Sequence, residues 1–260
     1  MSRCKFTIIT VCYNAEKYIE DTISSVLSQT YENFEYIIKD GQSSDGTMDI
    51  VHRLTDGDNR VMIIQGKDQG IYDAMNTAVL QASGEYILFL NAGDTFADSL
   101  VLSKAAEYMT AQEADIYYGD VIEISNERKS LRIYTERNSK IWYYSLGACL
   151  CHQSMFCKKD LFQKKLFDLE YKVCADREWQ MYHIKNGAIV KAMKFPVAEV
   201  LTDGFSKNHV EDLENESGQC IRNYCGKWYI IYKIISICKK SEFLHEIIYR
   251  MEKIISSKHL

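Results

Sequence analysis

One proline in 260 residues excludes proline-rich linkers, and 13 glycines without a period exclude a collagen-like chain. Basic charge is not in excess. Lys and Arg number 31 against 36 Asp and Glu, and the net charge of −5 creates no general field for nucleic acid. No apolar run approaches the roughly 20 residues that span a bilayer. Phe6–Cys12 is too short for a signal peptide and runs directly into the polar Tyr13-Asn14. A paired cysteine framework is also missing: the nine cysteines are scattered, Cys4 and Cys12 around one apolar strand and Cys149, Cys151, Cys157 and Cys174 among apolar residues. Disulfides need an oxidising compartment. Zinc would need more than Cys151, His152 and Cys157, which lack a CxxC pair and a fourth ligand. Buried reduced thiols and a soluble, cytoplasmic protein are the expectation.

What is present is an ordinary globular composition, 47% hydrophobic and 26% charged, with enough chain for one large domain. The first half alternates strand and helix. Phe6–Cys12 reads as a buried parallel strand, followed by a helical stripe of Ile19, Ile23, Val26 and Leu27. Residues 34–38, 61–64 and 86–90 read as further strands. Between them lie helices carrying Ile50, Val51 and Leu54, and then Ile71, Met75, Ala78 and Ala82. Such alternation implies right-handed crossovers and an α/β fold with a mostly parallel sheet, which binds ligands at the carboxyl ends of its strands. Four polar clusters fall at those ends: Tyr13-Asn14, Asp40 to Thr47, Lys67 to Asp73, and Asn91 to Asp94. Solvated loops alone would not gather so many carboxylates and amides on one edge.

The middle of the chain is less regular. Strands are expected at 115–118, 133–135, 153–157 and 188–195, with a helix at 175–185 ended by Asn186-Gly187. No linker separates this half from the first. From Gly226 to Leu260 seven Lys/Arg face three Glu, a net +4 that leaves −9 for the rest. The tail carries a stripe of Phe243, Leu244, Ile247, Ile248, Met251, Ile254 and Ile255. A basic amphipathic tail either lies in a membrane interface or packs as a helical hairpin on the domain or on a second copy in a homodimer.

Five clusters in order, Val11-Cys12-Tyr13-Asn14, Ser25 to Tyr31, Asp40 to Thr47, Gly70 to Asn76 and Leu90 to Asp94, resemble the family-2 glycosyltransferases of GT-A fold. A weaker continuation runs through His152-Gln153 and Ala175 to Glu178 to about residue 206. The pattern is most similar to bacterial enzymes that build cell-surface polysaccharide. The resemblance implies a GT-A domain over residues 1–208, a basic amphipathic helical tail over 209–260, and inverting transfer of a sugar from a nucleotide donor to an acceptor hydroxyl. UDP is the preferred nucleotide, with GDP as the other choice, and the acceptor is a growing glycan, inferred to sit on a lipid carrier.

The same resemblance distributes roles. Thr10, Tyr13, Asn14, Asp40, Ser43 and Asp45 would contact base and ribose, although Asp40 also reads as a turn cap and Asp45 equally as a helix cap. Lys67, Asp68, Gly70, Tyr72 and Asp73 would contact donor sugar and phosphates, Gly70 by letting the backbone approach closely. Asp73 also reads as a first-turn helix residue. Asp94 would hold a divalent cation, Mn²⁺ or Mg²⁺, with Asn91, Ala92 and Gly93 beside it. Many relatives carry Asp where Asn91 and Gly93 stand, which thins the acidic ligand set. Asp176 matches the general base, with Glu178 as a backup or acceptor contact, and His152 lies near diphosphate or acceptor. Asp203-Gly204-Phe205-Ser206 resembles a phosphate-covering segment with its first glycine replaced. Two other functions compete. A nucleotidyltransferase would want a glycine-rich basic loop after the first strand, which Cys12 to Glu16 does not supply. A catalytically silent scaffold subunit is favoured by the thin metal motif and disfavoured by the set Asp40, Asp94 and Asp176.

Overall fold

The computed structural model describes residues 6–125, 128–202 and 209–239. At the heart of its sheet, β1 (Phe6–Cys12) is buried at every position, as a run with no polar face requires. β2 (Phe34–Asp40) and β4 (Tyr86–Phe89) flank it in parallel, Phe6 standing opposite both Phe34 and Tyr86. β3 (Val61–Gln65) pairs outside β2. The crossovers are α1 (Ile19–Leu27), α2 (Thr47–Thr55) and α3 (Ile71–Gln81). α1 buries Ile19, Ile23 and Val26 from the expected stripe, and Thr22 with them.

The second half extends the same sheet. β5 (Thr95–Phe96) and α4 (Val101–Ala111) precede β6 (Ile116–Ser125) and β7 (Arg128–Arg132). α5 (Ile141–Tyr144), β8 (Met155–Lys158), α6 (Lys159–Lys164), α7 (Ala175–Lys185) and β9 (Val190–Leu201) follow. Among the described residues the sheet runs β3-β2-β1-β4-β8-β6-β9-β5, with β7 beside β6. β6 pairs in parallel with β9, while β8, β7 and β5 pair antiparallel to their neighbours. This is the mixed, mostly parallel α/β sheet that the alternation predicts.

Three expected strands need correction. Residues 133–135 are not a strand; β7 ends at Arg132, and the Tyr134 N–H donates to Asp120 Oδ1 at 2.7 Å instead of to a neighbouring strand. That bond turns the chain so that Tyr134 is buried while Ile133 stays exposed. The strand expected at 153–157 starts only at Met155, because His152–Ser154 forms a single 3₁₀ turn. The last strand runs on to Leu201, past Pro196, where the register against β6 shifts. A shift of that kind accommodates a residue without an N–H.

After β9, α8 (Val210–Cys225) and α9 (Tyr229–Lys239) pack together as a hairpin. α8 buries Ser217, Cys220, Ile221 and Cys225 against α5 and α7. No helix among the described residues is long and apolar enough to cross a membrane. Cys12, Cys149, Cys151, Cys157, Cys174, Cys220 and Cys225 are all free thiols.

Candidate active site

The loops leaving β1 and β2 are laced together. Asn14, in the left-handed region at φ 49°, donates its N–H to Ser43 Oγ at 2.8 Å and accepts the Ser44 N–H on Oδ1 at 2.9 Å. Ser43 Oγ in turn donates to Asp40 Oδ1 at 2.5 Å, and the Asp40 carboxylate also accepts the Gln42 and Ser43 N–H groups. Asp40 is fully buried. Its oxygens therefore hold the turn, as the cap reading expects. Asp45 likewise accepts from the Thr47 N–H and hydroxyl and from the Glu16 N–H. The Thr47 hydroxyl holds its carboxyl below the usual range. Thr10 is buried inside the sheet, its hydroxyl donating to the Leu90 carbonyl at 2.6 Å and lying 2.8 Å from Tyr36 Oη. These side chains build the loop and the sheet, whereas Tyr13 projects from them, 66% exposed.

The next loop is fixed by a residue that the motifs do not single out. Lys39, 2% exposed at the end of β2, reaches across to Asp68 Oδ2 at 2.5 Å and to the Gly66 carbonyl at 2.6 Å. A lysine inside a buried strand is the one sequence signal for it. Asp68 is thus half of a buried ion pair, while Lys67 beside it stays exposed. Gly70 takes φ +140°, open to glycine alone, and an added Cβ there would meet nothing within 4 Å. Asp73 accepts the Gln69 N–H at 2.8 Å, so it secures the start of α3.

The antiparallel register of β4 and β8, Tyr86 opposite Lys158, carries the His152 turn to the carboxyl end of β4. There His152 Nε2 lies 3.2 Å from Asn91 Nδ2, and Nδ1 lies 3.2 Å from Asp176 Oδ2. With the ring proton on Nδ1, His152 donates to the carboxylate and accepts from the amide. Tyr72 completes the group, its hydroxyl shared between the Val173 carbonyl at 2.8 Å and Asp176 Oδ1 at 3.0 Å. Burial alone would raise the Asp176 carboxyl. His152, the Arg177 N–H and the Tyr72 hydroxyl outweigh it and hold Asp176 below its ordinary value.

Beside this group, the Asn91-to-Asp94 turn closes through the Asp94 N–H on the Asn91 carbonyl at 2.9 Å. Gly93 sits at φ +104°, and Thr22 Oγ1 accepts its N–H while donating to the Asp94 carbonyl. Asp94 Oδ2 accepts from Gln153 Nε2 at 2.9 Å, and Oδ1 from the Leu201 N–H at 3.3 Å. Burial pushes the Asp94 carboxyl up to about 6, against the opposing pull of Gln153 and His152. Asn91 Oδ1 is buried without a partner. Ala92, half-buried, places its N–H toward the Val11 carbonyl at 3.4 Å.

Glu178 does not join this group. It points from the opposite side of α7, buried, where Oε1 accepts from the Tyr224 hydroxyl and lies 3.3 Å from Lys165 Nζ. Two residues along a helix is a turn of about 200°, which accounts for the separation. Asp203-Gly204-Phe205-Ser206 lies outside the described residues. Among the described residues, no three His, Cys, Asp or Glu side chains gather into a metal-binding set.

Residues 7–163 match the family described as Glycosyl transferase family 2. The chain belongs to glycosyl transferase family 2. This family-2 transferase is 31% identical over 224 residues to a PGL/p-HBAD biosynthesis glycosyltransferase of Mycobacterium bovis, covering 82% of this chain and 83% of that one. It is also 38% identical over 104 residues to the putative teichuronic acid biosynthesis glycosyltransferase TuaG of Bacillus subtilis, covering 40% and 41%. Its fold is similar to that of S. aureus TarS 1-349 solved with UDP, at TM-score 0.65 and 22% identity over 89% of this chain and 69% of that one. Mannosyltransferase PcManGT from Pyrobaculum calidifontis, solved with GDP-Man and Mn²⁺, also gives TM-score 0.65, at 18% identity over 90% and 68%. The fold of the transferase is accordingly GT-A, as the five ordered clusters imply.

Proposed function

We propose that this transferase moves a sugar, with inversion, from a nucleoside-diphosphate donor to an acceptor hydroxyl in the synthesis of a bacterial cell-surface glycan. The observation that carries the reading is the His152 bridge. It ties the loop at the end of β4, where the diphosphate would lie, to an aspartate held ionised at the start of α7. Asp176 acts as general base: it takes the proton of the acceptor hydroxyl as that oxygen bonds to the anomeric carbon and the bond from that carbon to the phosphate oxygen breaks. His152 orients and stabilises the Asp176 carboxylate, and the Tyr72 hydroxyl supports its other oxygen.

The nucleotide would lie along the edge formed by Tyr13, Asn14, Ser43 and Lys67, Tyr13 offering its exposed ring and Lys67 its exposed charge. UDP is the preferred nucleotide; among the structural neighbours, TarS binds UDP and PcManGT binds GDP-Man. The residues fit a divalent cation, Mn²⁺ or Mg²⁺. Asp94 is a buried carboxyl with no cationic side chain bonded to it, and Asn91 Oδ1 is an unpartnered buried oxygen, so both suit a hard cation. When bound, the cation would neutralise charge on the departing diphosphate. Asp94 and Asn91 would be the residues that hold it.

The test is a thermal-shift panel of UDP, GDP, CDP and TDP, with and without Mn²⁺. A nucleotide at 100 times its Kd should add roughly 2.7 kcal/mol, a rise of about 5 °C or more. A Mn²⁺-dependent shift with one nucleotide is the expected result. No shift with any of them would sink the donor site and favour a silent scaffold.

A further inference from the structure

The first N–H groups of a helix have no intrahelical partner, and a helix that carries a catalytic group in its first turn needs them satisfied. α7 has no side-chain cap of its own: Cys174 stands at the N-cap without a capping hydrogen bond from its side chain. Glu216 of α8, more than 40 residues later in the chain, instead anchors the loop that leads into α7, the N-cap amide of Cys174 included. Glu216 Oε1 accepts the Lys172 N–H at 2.8 Å, and Oε2 accepts the Val173 and Cys174 N–H groups, each at 2.9 Å. Three consecutive amides converging on one carboxylate form an anion-holding nest, here filled by a side chain of the same protein.

The Val173 peptide links this nest to the candidate base. Its N–H is held by Glu216, and its carbonyl accepts the Tyr72 hydroxyl that also contacts Asp176. We propose that Glu216 is a positioning residue that fixes the start of α7, and with it the Asp176 carboxylate, against His152. The inference rests on the reading of Asp176 as general base, and gives α8 a task in the reaction. Donor contacts on the β1, β2 and β3 loops are untouched by Glu216, so its loss acts on turnover and not on nucleotide affinity.

The test uses the full chain labelled at histidine, with the His152 ring signal assigned through His152→Gln. Glu216→Ala should move the His152 ring signal in the direction that Asp176→Asn moves it, while the signal of His52, on α2, stays put. UDP affinity should remain within about twofold. Glu216→Gln, which keeps one acceptor oxygen, should return the His152 signal part of the way. With a donor that turns over, kcat should fall about 10- to 100-fold in Glu216→Ala at an unchanged donor KM, as a displaced catalytic group produces. An unmoved His152 signal in Glu216→Ala, or a loss of UDP affinity equal to the loss in kcat, would overturn the inference. Should Glu216→Ala not fold, Glu216→Gln decides alone by the same two readouts. If instead Asp176→Asn keeps full transfer activity, the general-base reading falls separately, whatever the ring signal shows.

Discussion

An aspartate serves as a general base only while ionised, and at Asp176 the neighbours decide that. Burial disfavours the charge, but the contacts from His152, the Arg177 N–H and Tyr72 more than offset it, so the carboxylate persists below the usual titration range. Asp176→Asn should therefore lower kcat by about 10²- to 10⁴-fold while UDP binding holds, as steady-state kinetics beside calorimetry will show. Asp94 has the opposite environment, with burial lifting its carboxyl to about 6. The folded state then binds more protons than the unfolded chain between roughly pH 4 and 6, so this residue's contribution to stability falls as pH rises through that window. A cation requires the ionised form. Below about pH 6, Mn²⁺-dependent UDP binding should weaken by about tenfold per pH unit, and Asp94→Ala should abolish the Mn²⁺ dependence. Titrating UDP at pH 5, 6 and 7.5 with subsaturating Mn²⁺ measures both.

At the scale of elements, the loop between β3 and α3 depends on a clasp from the adjacent strand. Lys39 and Asp68 are 2% and 10% exposed, and removing one partner of a buried pair leaves the other charge uncompensated. Lys39→Met should cost about 3–5 kcal/mol in denaturant unfolding. The double variant Lys39→Met, Asp68→Leu should be more stable than Lys39→Met alone, because no lone charge remains. A double variant no better than the single one would show that the pair is not the source of the cost. The same scale explains why several donor-site candidates also carry structural hydrogen bonds. Asp40, Asp45 and Asp73 end strands or begin helices, where free N–H groups gather, and their carboxylates satisfy those groups.

For the whole molecule, what matters is which surfaces the packing leaves open. α8 is pinned to α5 and α7, while α9 exposes Ile230, Ile234 and Ile237 along one side, with Lys227 and Lys233 nearby. We propose peripheral contact with an anionic membrane through this stripe. Replacing all three isoleucines by Glu should reduce co-sedimentation with anionic vesicles at least tenfold while leaving UDP binding intact. Native chain that stays in the supernatant would refute the contact, and a dimer in sedimentation equilibrium that the triple variant dissolves would assign the stripe to a second copy.

The strand–helix alternation of the first half, its crossovers and the polar clusters at its strand ends were legible because they follow from local patterns: buried β-rich runs, helical stripes and turn-forming residues at regular intervals. Asp176 and His152 were legible as motifs. Their meeting was not, since it depends on an antiparallel β8 placed beside β4, a pairing between segments about 70 residues apart. Nor could spacing show that Glu178 faces Tyr224, that Lys39 holds Asp68, or that Glu216 anchors the entry to α7 from across the fold. Local sequence determines which element forms and which end carries the polar groups, because those depend on near neighbours. Which of those groups are consumed by the structure, and which remain free for chemistry, only the tertiary packing decides, because a buried hydrogen-bonding group is claimed by whatever partner the fold brings within 3 Å.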